Sequence, residues 1–278
     1  MQRSSRMCII EVQHLKKTIG KIQILRDINI CVRNGDIYGL FGPNGAGKTS
    51  TIRSILGIYK PTQGKISIFG KPINRNLLRK IGVVLEYDAL PLNWRVIDVF
   101  KYVCSIYDIS YDDIKNIFKT VGIYYPDKKI STLSKGMRRR VSIGLALIHD
   151  PDILILDEPI SGLDPQSRRN ILGIIKKLNE EGKTILLSSH DLKDVQSLVT
   201  RFGIIFDGIT YLELDNKPPF LITKSPPQNS GVRVYGTDIF VVPLGLSSKS
   251  IENYSTEELL FRDIESLYFY LAGMQDEI

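Results

Sequence analysis

Short apolar runs alternate with segments of helical periodicity along most of the chain. Residues 37–41, 153–156 and 183–189 form apolar runs of the kind that fills strands covered on both faces. Apolar residues recur at helical spacing over 96–107 and again over 114–121. This order predicts an α/β domain into which a small helical subdomain is inserted.

The composition changes after residue 215. Residues 215–231 hold four prolines and are typical of a linker, and 232–243 contain short β-prone stretches around a glycine turn. Ser255 and Glu258 have the spacing of a capping box, which predicts an amphipathic helix that stops at Gly273 and docks on its own domain. The predicted apolar face of this helix consists of Leu260, Ile264, Leu267, Tyr268 and Leu271.

Composition and charge narrow the class of protein. The net charge of +7 is compatible with a nucleic-acid or anionic membrane partner, but the charge is spread along the 278 residues, as on a solvated surface. We find no apolar run of eighteen residues and no signal-peptide pattern, so we expect neither a membrane span nor a leader. Cys8, Cys31 and Cys104 show no paired spacing, and we expect a reducing cytosol without a disulfide framework or zinc site.

Residues 36–57 carry a glycine-rich turn between an apolar strand and a helix. Gly42, four intervening residues and Gly47-Lys48-Thr49 match the P-loop pattern in the context that it requires. Backbone N–H groups of the turn can surround phosphate oxygens, and the helix directs its positive end to the same place. In this pattern Lys48 reaches the β- and γ-phosphates and the Thr49 hydroxyl ligates Mg²⁺. The segment predicts a nucleotide-binding loop.

Two acidic residues follow the apolar run 153–156. Asp157 is placed to hold Mg²⁺, and Glu158, which points the other way along the strand, can polarise an attacking water. General-base assistance of this kind contributes about 10²–10⁴ in rate. Surface acids at a strand end are the alternative, which the P-loop makes the weaker one. His190 ends the next apolar strand, where ligands bind in open α/β sheets, and can contact the γ-phosphate.

A second small polar turn, LSKGM at residues 133–137, runs into a basic and then apolar segment. Ser134 can cap a helix there, and Gly136 leaves backbone N–H groups open to an anion. Arg138, Arg139 and Arg140 fall in the first turns of this helix, where cations oppose the helix dipole. They are predicted either to meet an anion, such as the phosphates of a nucleotide or lipid headgroups, or to lie on a solvated face.

The motifs GPNGAGKT, LSKGM, LILDEP, SGLD and SSH follow one another in the chain. Their order and spacing resemble the nucleotide-binding subunit of ATP-binding cassette (ABC) proteins over roughly residues 8–215. The resemblance implies an α/β P-loop NTPase fold with an antiparallel β edge, an inserted helical subdomain and a small C-terminal appendage. We expect residues 7–215 to form the nucleotide-binding domain, with the helical subdomain and signature loop at 88–148, and residues 216–278 to form the appendage.

The resemblance also implies a role for each motif, because in this family the signature loop of one subunit closes over ATP held by the P-loop of the other. ATP and Mg²⁺ are the implied cofactors. The implied nucleotide-binding residues are Gly42, Pro43, Asn44, Gly45, Ala46, Gly47, Lys48, Thr49, Ser50 and Ile19. The implied signature residues are Ser134, Lys135, Gly136 and Met137, and the D-loop residue is Asp164. The implied catalytic residues are Glu158 and His190, and the metal-site residues are Thr49, Asp157 and Glu86.

Three departures from the family pattern affect these expectations. LSKGM has Lys135 and Met137 where the family has glycine and glutamine, and a lysine beside a γ-phosphate is electrostatically favourable. The Q-loop glutamine is replaced by Glu86, whose carboxylate can ligate Mg²⁺. Both features resemble the branch of drug-export and antibiotic-self-protection ATPases. Ile19 replaces the aromatic residue that stacks on adenine, which loses about 0.5–1.5 kcal/mol and predicts weaker, less base-selective nucleotide binding.

We therefore expect the ATP-hydrolysing subunit of an ABC exporter, at the cytoplasmic face of the cell membrane. The expected partners are a separate polytopic membrane permease, which Trp94 and Tyr87 are candidates to contact, and a second ABC subunit, with a homodimer preferred over a heterodimer. No specific nucleic acid is expected. One alternative is a soluble ABC ATPase acting on nucleic acid or ribosomes, and another is a catalytically weak regulatory cassette, which Ile19 and Glu86 favour and the intact Glu158 and His190 oppose.

Overall fold

The computed structural model describes residues 7–224, 231–244 and 259–275. The chain divides into two compact units, of which unit 1 comprises Met1–Pro72 and Ser189–Ile278 and unit 2 comprises Ile73–Ser188. The strands are β1 (Cys8–Ile19), β2 (Ile22–Arg33), β3 (Ile37–Phe41), β4 (Gln63–Ile68), β5 (Lys71–Pro72), β6 (Ile81–Val84), β7 (Ile153–Leu156), β8 (Thr184–Ser189), β9 (Arg201–Phe206), β10 (Ile209–Asp215), β11 (Phe220–Thr223), β12 (Val232–Arg233), β13 (Phe240–Pro243) and β14 (Leu259–Phe261).

The helices are α1 (Lys48–Ile55), α2 (Arg75–Leu78), α3 (Val96–Tyr107), α4 (Ile114–Val121), α5 (Lys135–Leu147), α6 (Pro165–Glu180), α7 (Leu192–Val195) and α8 (Ile264–Gln275). The helices predicted over 96–107 and 114–121 are therefore confirmed as α3 and α4. Within the described ranges, no helix combines the length and apolarity needed to cross a membrane.

The main sheet of unit 1 has an antiparallel edge, as the family resemblance implies. Strands β5, β4, β1 and β2 follow one another in antiparallel pairs, and β10 then lies parallel to β2. Strand β9 pairs antiparallel with β10 and parallel with β3. Every residue of β3 and of β9 is buried, which explains why these strands lack the polar–apolar alternation of β1.

A charged network is buried within unit 1. Arg201 contacts Asp215 through Nη1 at 2.5 Å and Glu213 through Nη2 at 3.5 Å, and the Tyr38 hydroxyl donates to Glu213 at 2.9 Å. Burial raises the pKa of Glu213 and of Tyr38. Burial also acts to raise the pKa of Asp215, but the hydrogen bond and charge of Arg201 outweigh it and lower that pKa. Arg201, which is itself buried, is thus the cation that compensates the half-buried acids Glu213 and Asp215.

Two cysteines form a disulfide within unit 1, so the expectation that cysteine pairing is absent is wrong. Cys8 in β1 and Cys31 in β2 are bonded, with their Cα atoms 5.2 Å apart. The two strands are antiparallel neighbours, which brings residues 23 positions apart in sequence within disulfide reach. Cys104, by contrast, is buried in α3 and takes no part in the disulfide.

The C-terminal part of unit 1 forms a second sheet in the order β12, β13, β11, β14. Leu260 was predicted to lie on the C-terminal helix, but it belongs to β14, since pairing with β11 overrides the helical spacing. Helix α8 starts at Ile264, where Asp263 accepts from the Ser266 backbone N–H at 2.8 Å, and it runs past Gly273 to Gln275. The expected capping box at residues 255–258 lies outside the described residues.

Helix α8 docks on its own unit, as predicted. Its predicted apolar face is buried at Ile264, Leu267, Tyr268 and Leu271. The Tyr268 ring stacks on Phe206 of β9 with a centroid separation of 5.4 Å.

Unit 2 combines a parallel sheet with the inserted helices. Strand β7 pairs in parallel with β6 on one side and with β8 on the other. All residues of β7 are buried, and so are the inward positions of α3 and α5. Asp157 and Glu158 follow β7 directly, so the sheet carries both acids at the carboxyl end of its central strand in this unit.

Candidate functional site

The predicted phosphate-binding loop in unit 1 has a backbone conformation that requires glycine at several positions. Gly45 and Gly47 adopt φ values of +86° and +106°, a region that favours glycine. At Gly42 a side chain is excluded, because a Cβ would lie 2.3 Å from the Ile205 carbonyl oxygen. The Ala46 N–H donates to the Pro43 carbonyl at 3.2 Å and closes the turn.

The loop ends at the start of α1, which Gly47 caps without a side-chain hydrogen bond and which has no acidic residue in its first turn. Such a helix start presents backbone N–H groups and a positive dipole end to an anion. Lys48 is 6% exposed, and its ammonium donates to the carbonyls of Gly42 at 2.7 Å and Pro43 at 3.1 Å. The loop therefore holds a buried cation beside the N-terminal end of α1, an arrangement that suits phosphate binding.

The other predicted nucleotide-binding residues of unit 1 are more exposed. Pro43 and Asn44 lie at the surface of the loop, and Thr49 and Ser50 are half-buried in the first turn of α1. Ile19 ends β1 opposite Ile22 and is 47% exposed, so an aliphatic face is available at the β1–β2 turn. His190 follows β8 and has an exposed side chain.

In unit 2, the acids after β7 are organised by a serine that the sequence analysis did not select. Ser188 of β8 donates through Oγ to Asp157 Oδ1 at 2.6 Å and accepts from the Glu158 backbone N–H at 2.9 Å. Asp157 is 1% exposed, and among the described residues its Oδ2 has no hydrogen-bond partner. A buried carboxylate oxygen without a donor is suited to a cation.

Glu158 has a strained backbone. Its φ is +49°, which is uncommon for a residue with a side chain and recurs where local strain serves a functional site. The side chain is 6% exposed. Since the strain re-aims Glu158 immediately after Asp157, the two acids that follow β7 can take different roles.

The signature turn starts α5 as predicted. Ser134 caps the helix by accepting from the Met137 N–H at 3.2 Å, and Ser134 and Lys135 are exposed. Gly136 is buried, and a Cβ there would lie 2.4 Å from Oγ of Ser167 on α6. Asp164 caps α6 in turn by accepting from the Ser167 N–H at 2.9 Å. Hydrogen bonds from the Ser167 side chain and then from its backbone lower the pKa of Asp164. Signature turn and D-loop are thereby fixed against each other.

The segment after β6, which contains Glu86, is held by α5. Arg139 is fully buried and donates to the backbone carbonyls of Leu85 at 2.7 Å and Glu86 at 2.9 Å. The arginine triplet was predicted to contact an anion or to lie on a solvated face. Both alternatives are wrong for Arg139, because its guanidinium is hydrogen-bonded to the loop backbone. Glu86 and Lys135, two of the departures from the family pattern, line one pocket of about 350 Å³.

Each unit thus carries some of the residues predicted to bind or process phosphate groups. Unit 1 carries the loop residues 42–50, Ile19 and His190, and unit 2 carries Glu86, residues 134–137, the acids 157–158 and Asp164. A P-loop before a helix and paired acids after a buried parallel strand define a P-loop nucleoside triphosphatase. The sequence patterns pointed neither to Ser188 nor to the role of Arg139; the SSH motif was the signal that could have pointed to Ser188.

Comparison with known proteins identifies the family. The ABC transporter family model matches residues 25–161. The lantibiotic transport ATP-binding protein SrtF of Streptococcus pyogenes is 37% identical over 206 residues, which cover 74% of this chain and 90% of that protein. The bacitracin transport ATP-binding protein BcrA of Bacillus licheniformis is 39% identical over 206 residues, covering 72% of this chain and 67% of that protein.

A solved structure agrees with the fold. A dimeric ATP-binding cassette in a post-hydrolysis state, bound to ADP and Pi, matches with a TM-score of 0.67 at 25% identity, covering 75% of this chain and 99% of that one. The chain belongs to the ABC transporter family and is an ATP-binding ATPase of that family, whose hydrolysis is coupled to transport. The predicted fold class and the resemblance to the drug- and antibiotic-export branch are confirmed.

Proposed function

We propose that this chain is the ATP-hydrolysing subunit of an exporter whose membrane-spanning pore is a separate polytopic permease. Two copies of the chain close over two Mg·ATP and reopen after hydrolysis. The observation that carries the proposal is the exposed, serine-capped start of α5 in a chain that already has a P-loop. A second helix start suited to anions is expected where the ATP of another subunit must be contacted.

The loop residues bind the nucleotide. Gly45 and Gly47 direct backbone N–H groups to the phosphates, and Ala46 closes the turn between them through its bond to the Pro43 carbonyl. Lys48 leaves its carbonyl partners to contact the β- and γ-phosphates. Ile19 covers the base with an aliphatic face. The remaining loop residues of this assignment are Gly42, Pro43, Asn44, Thr49 and Ser50.

Other motifs act on the γ-phosphate and the attacking water. Glu158 polarises the water as a general base, and His190 contacts the γ-phosphate. Ser134 and Gly136 provide the start of α5 to the ATP of the second subunit, and Lys135 adds a positive charge there. Met137 completes that turn, and Asp164 holds its support on α6.

The chain has donors suited to Mg²⁺. Asp157 Oδ2 is buried without a hydrogen-bond partner, and carboxylate and hydroxyl oxygens are the ligands that Mg²⁺ prefers, together with phosphates and water. Asp157, Thr49 and Glu86 would hold the ion. When bound, Mg²⁺ neutralises charge on the β- and γ-phosphate oxygens.

A groove in unit 2 is suited to the permease. It has a volume of about 370 Å³ and is lined mainly by apolar side chains of β6, α3, α5 and the segment after β6, including Val103, Leu145 and Tyr107. Tyr87 borders the groove and is 81% exposed. Trp94, which is 43% exposed, offers a second apolar contact. Binding there would hold the chain at the cytoplasmic face of the membrane.

A hydrolysis-deficient variant tests the dimer. Glu158→Gln keeps the phosphate contacts but removes the base, so we expect it to form a stable dimer with Mg·ATP in size-exclusion chromatography with light scattering. The matched control is Glu158→Gln with Lys48→Ala, which should stay monomeric. A Glu158→Gln protein that remains monomeric at saturating ATP contradicts the proposal.

The permease requires a separate test. Tagged protein expressed at native level in its own host is recovered in mild detergent, and everything that copurifies is identified. A polytopic membrane protein in stoichiometric amount supports the exporter. Recovery of ribosomes or nucleic acid without membrane protein would contradict it.

A further inference from the structure

A buried arginine on the signature helix grips the loop that carries Glu86. The Arg139 guanidinium donates through Nη1 to the Leu85 carbonyl at 2.7 Å and through Nη2 to the Glu86 carbonyl at 2.9 Å. Nη1 also lies 3.4 Å from Asp88 Oδ1. The planar guanidinium therefore contacts three residues of one short loop. Its five N–H donors, which are held in a rigid fork, make this possible.

A second residue of α5 reinforces this grip. Ser142, one helical turn after Arg139, donates through Oγ to Asp88 Oδ1 at 2.8 Å. Residues three apart lie on the same face of a helix, so Arg139 and Ser142 present one polar strip to the loop. The loop between Leu85 and Asp88 is thus attached to two consecutive turns of α5.

Satisfying two carbonyl groups does not require a buried charge. Burial lowers the pKa of Arg139, which reflects the free energy needed to keep a guanidinium out of water, and the carboxylates of Asp88, Asp157 and Glu86 oppose the shift. Among the described residues, Arg139 Nε has no hydrogen-bond partner either. A neutral donor or water would hold the loop without that penalty, which favours a role for the cation beyond structure.

The geometry of the grip determines where Glu86 stands. Arg139 of α5 holds the carbonyl before Glu86 Cα, that of Leu85, and the carbonyl after it, that of Glu86. The direction of the Glu86 side chain therefore follows the orientation of α5. Glu86 lines the same pocket as Lys135, which lies in the first turn of α5. A shift of the start of α5 should therefore also shift the Glu86 carboxylate.

We propose that Arg139 is a positioning residue of the ATPase reaction, which sets the Glu86 carboxylate for the Mg²⁺ of bound ATP and ties it to the Ser134 end of α5. The inference rests on the proposed function, in which Glu86 serves the metal and Ser134 meets the ATP of the second subunit. It follows that an ATP bound at the start of α5 affects metal binding through Glu86 of the same chain.

The test measures equilibrium binding of a fluorescent ATP analogue as a function of Mg²⁺ concentration, in full-length protein carrying Glu158→Gln so that nothing is hydrolysed. Arg139→Gln should raise the half-saturating Mg²⁺ concentration about 10-fold or more, the range observed when residues supporting metal ligands are replaced. Arg139→Lys keeps the charge but not the forked geometry, so its half-saturating Mg²⁺ concentration should lie between those of the parent and of Arg139→Gln. An unchanged Mg²⁺ dependence in Arg139→Gln overturns the inference.

The matched control is Arg140→Gln. Arg140 is the next residue of α5 and also donates to a backbone carbonyl, but to that of Gly122 at 3.2 Å, away from the Glu86 loop. Its half-saturating Mg²⁺ concentration should stay within about 2-fold of the parent. A shift equal to that of Arg139→Gln would show a general effect of weakening α5 and would overturn the inference.

A double-mutant cycle separates positioning from simple structural support. If Arg139 acts through the Glu86 carboxylate, Arg139→Gln should change the Mg²⁺ dependence by less than about 2-fold once Glu86→Ala is present. Additive effects would overturn the inference. Should Arg139→Gln fail to fold, as judged by thermal unfolding, the cycle is run with Arg139→Lys.

The same proteins distinguish this inference from the proposed function. Failure of the Glu158→Gln parent to dimerise with ATP removes the proposed function, and with it the link to a second subunit. A parent that dimerises, combined with an additive cycle, removes only the role of Arg139. A dimerising parent with a non-additive cycle supports both, and Arg139→Gln should then reduce the Hill coefficient for ATP towards about 1.

Discussion

Ser188 Oγ lies 2.6 Å from Asp157 Oδ1 and donates to it, so a serine of β8 directs the carboxylate at the end of β7. The same hydroxyl accepts from the Glu158 backbone N–H at 2.9 Å. One side chain thus orients Asp157 and stabilises the left-handed backbone of Glu158. Among the described residues, the second oxygen of Asp157 has no hydrogen-bond partner, which suits it to the proposed Mg²⁺ site.

Replacement of this serine should affect both stability and metal binding. Ser188→Ala leaves Asp157 Oδ1 and the Glu158 N–H without their partner in a buried position, which should lower the free energy of unfolding by about 1–3 kcal/mol. The apparent Mg²⁺ affinity of the ATPase should fall about 10–100-fold, because Asp157 loses the group that orients it. Urea denaturation and Mg²⁺ titration of turnover measure the two effects.

Ser54→Ala provides the matched control for that variant. Ser54 is also fully buried, but its hydroxyl donates to the Ser50 carbonyl at 2.8 Å within α1 and supports no acid. Its Mg²⁺ dependence should stay within about 2-fold of wild type. If both serines changed the Mg²⁺ dependence equally, a specific role for Ser188 would be ruled out.

The ammonium of Lys48 should be required for nucleotide binding. Lys48→Ala removes a buried cation from the loop, and charge-assisted contacts to phosphate contribute about 1.5–3 kcal/mol each. We expect affinity for a fluorescent ATP analogue to fall at least about 100-fold, as two such contacts imply. Lys17→Ala is the control, because Lys17 donates to the Lys60 carbonyl at 2.8 Å on an exposed surface, and its affinity should be unchanged.

The close approach of α5 and α6 at Gly136 predicts a specific loss of dimerisation. In Gly136→Ala, the Cβ would lie 2.4 Å from Ser167 Oγ and 2.7 Å from Ser167 Cβ, so the signature turn must shift. Overpacking of this kind costs about 1–3 kcal/mol. In a Glu158→Gln background, light scattering should show loss of the ATP-dependent dimer, while the monomer still binds the fluorescent ATP analogue.

A second-site change should restore what Gly136→Ala removes. Ser167→Gly deletes both clashing atoms of α6, at a cost of about 1 kcal/mol for a glycine in a helix. The double variant should recover ATP-dependent dimerisation at least in part. No recovery, with Ser167→Gly alone still dimerising, would show that the Cβ of residue 136 acts by a route other than this contact.

Arg201 should be essential for the stability of unit 1. Arg201→Ala removes the closest cation from the half-buried carboxylates of Glu213 and Asp215, which should lower the free energy of unfolding by about 1–3 kcal/mol. Arg33→Ala is the control, because Arg33 contacts Asp215 at 3.1 Å from a half-exposed position and its loss should cost about 1 kcal/mol or less. Equal losses in urea denaturation would contradict the assignment of Arg201 as the central cation.

Local patterns allowed much of the candidate site to be predicted. The loop at Gly42–Thr49, the acids after β7 and the Ser134 cap each depend on residues within a few positions of one another, so their chemistry can be inferred from spacing. The same holds for α3 and α4, whose apolar periodicity is continuous. Helices α3 and α4 were confirmed, since their periodicity is local, whereas the roles of the loop, the acids and Ser134 stay predictions.

Contacts between distant residues account for what was missed. Ser188 is 31 residues from Asp157, and Arg139 is 54 residues from the Leu85 carbonyl that it binds. Cys8 and Cys31 meet only because β1 and β2 are antiparallel neighbours. Leu260 joined β14 because pairing with β11 outweighed its helical spacing.

Residues adjacent in the chain encode the chemistry predicted for this protein: a phosphate-binding loop, a pair of acids after a buried strand, and a second capped helix start. Which groups orient these residues depends on folding. A hydroxyl on β8 directs Asp157 and a buried guanidinium on α5 holds the Glu86 loop, because burial and hydrogen-bond geometry depend on strands and helices that meet only after folding.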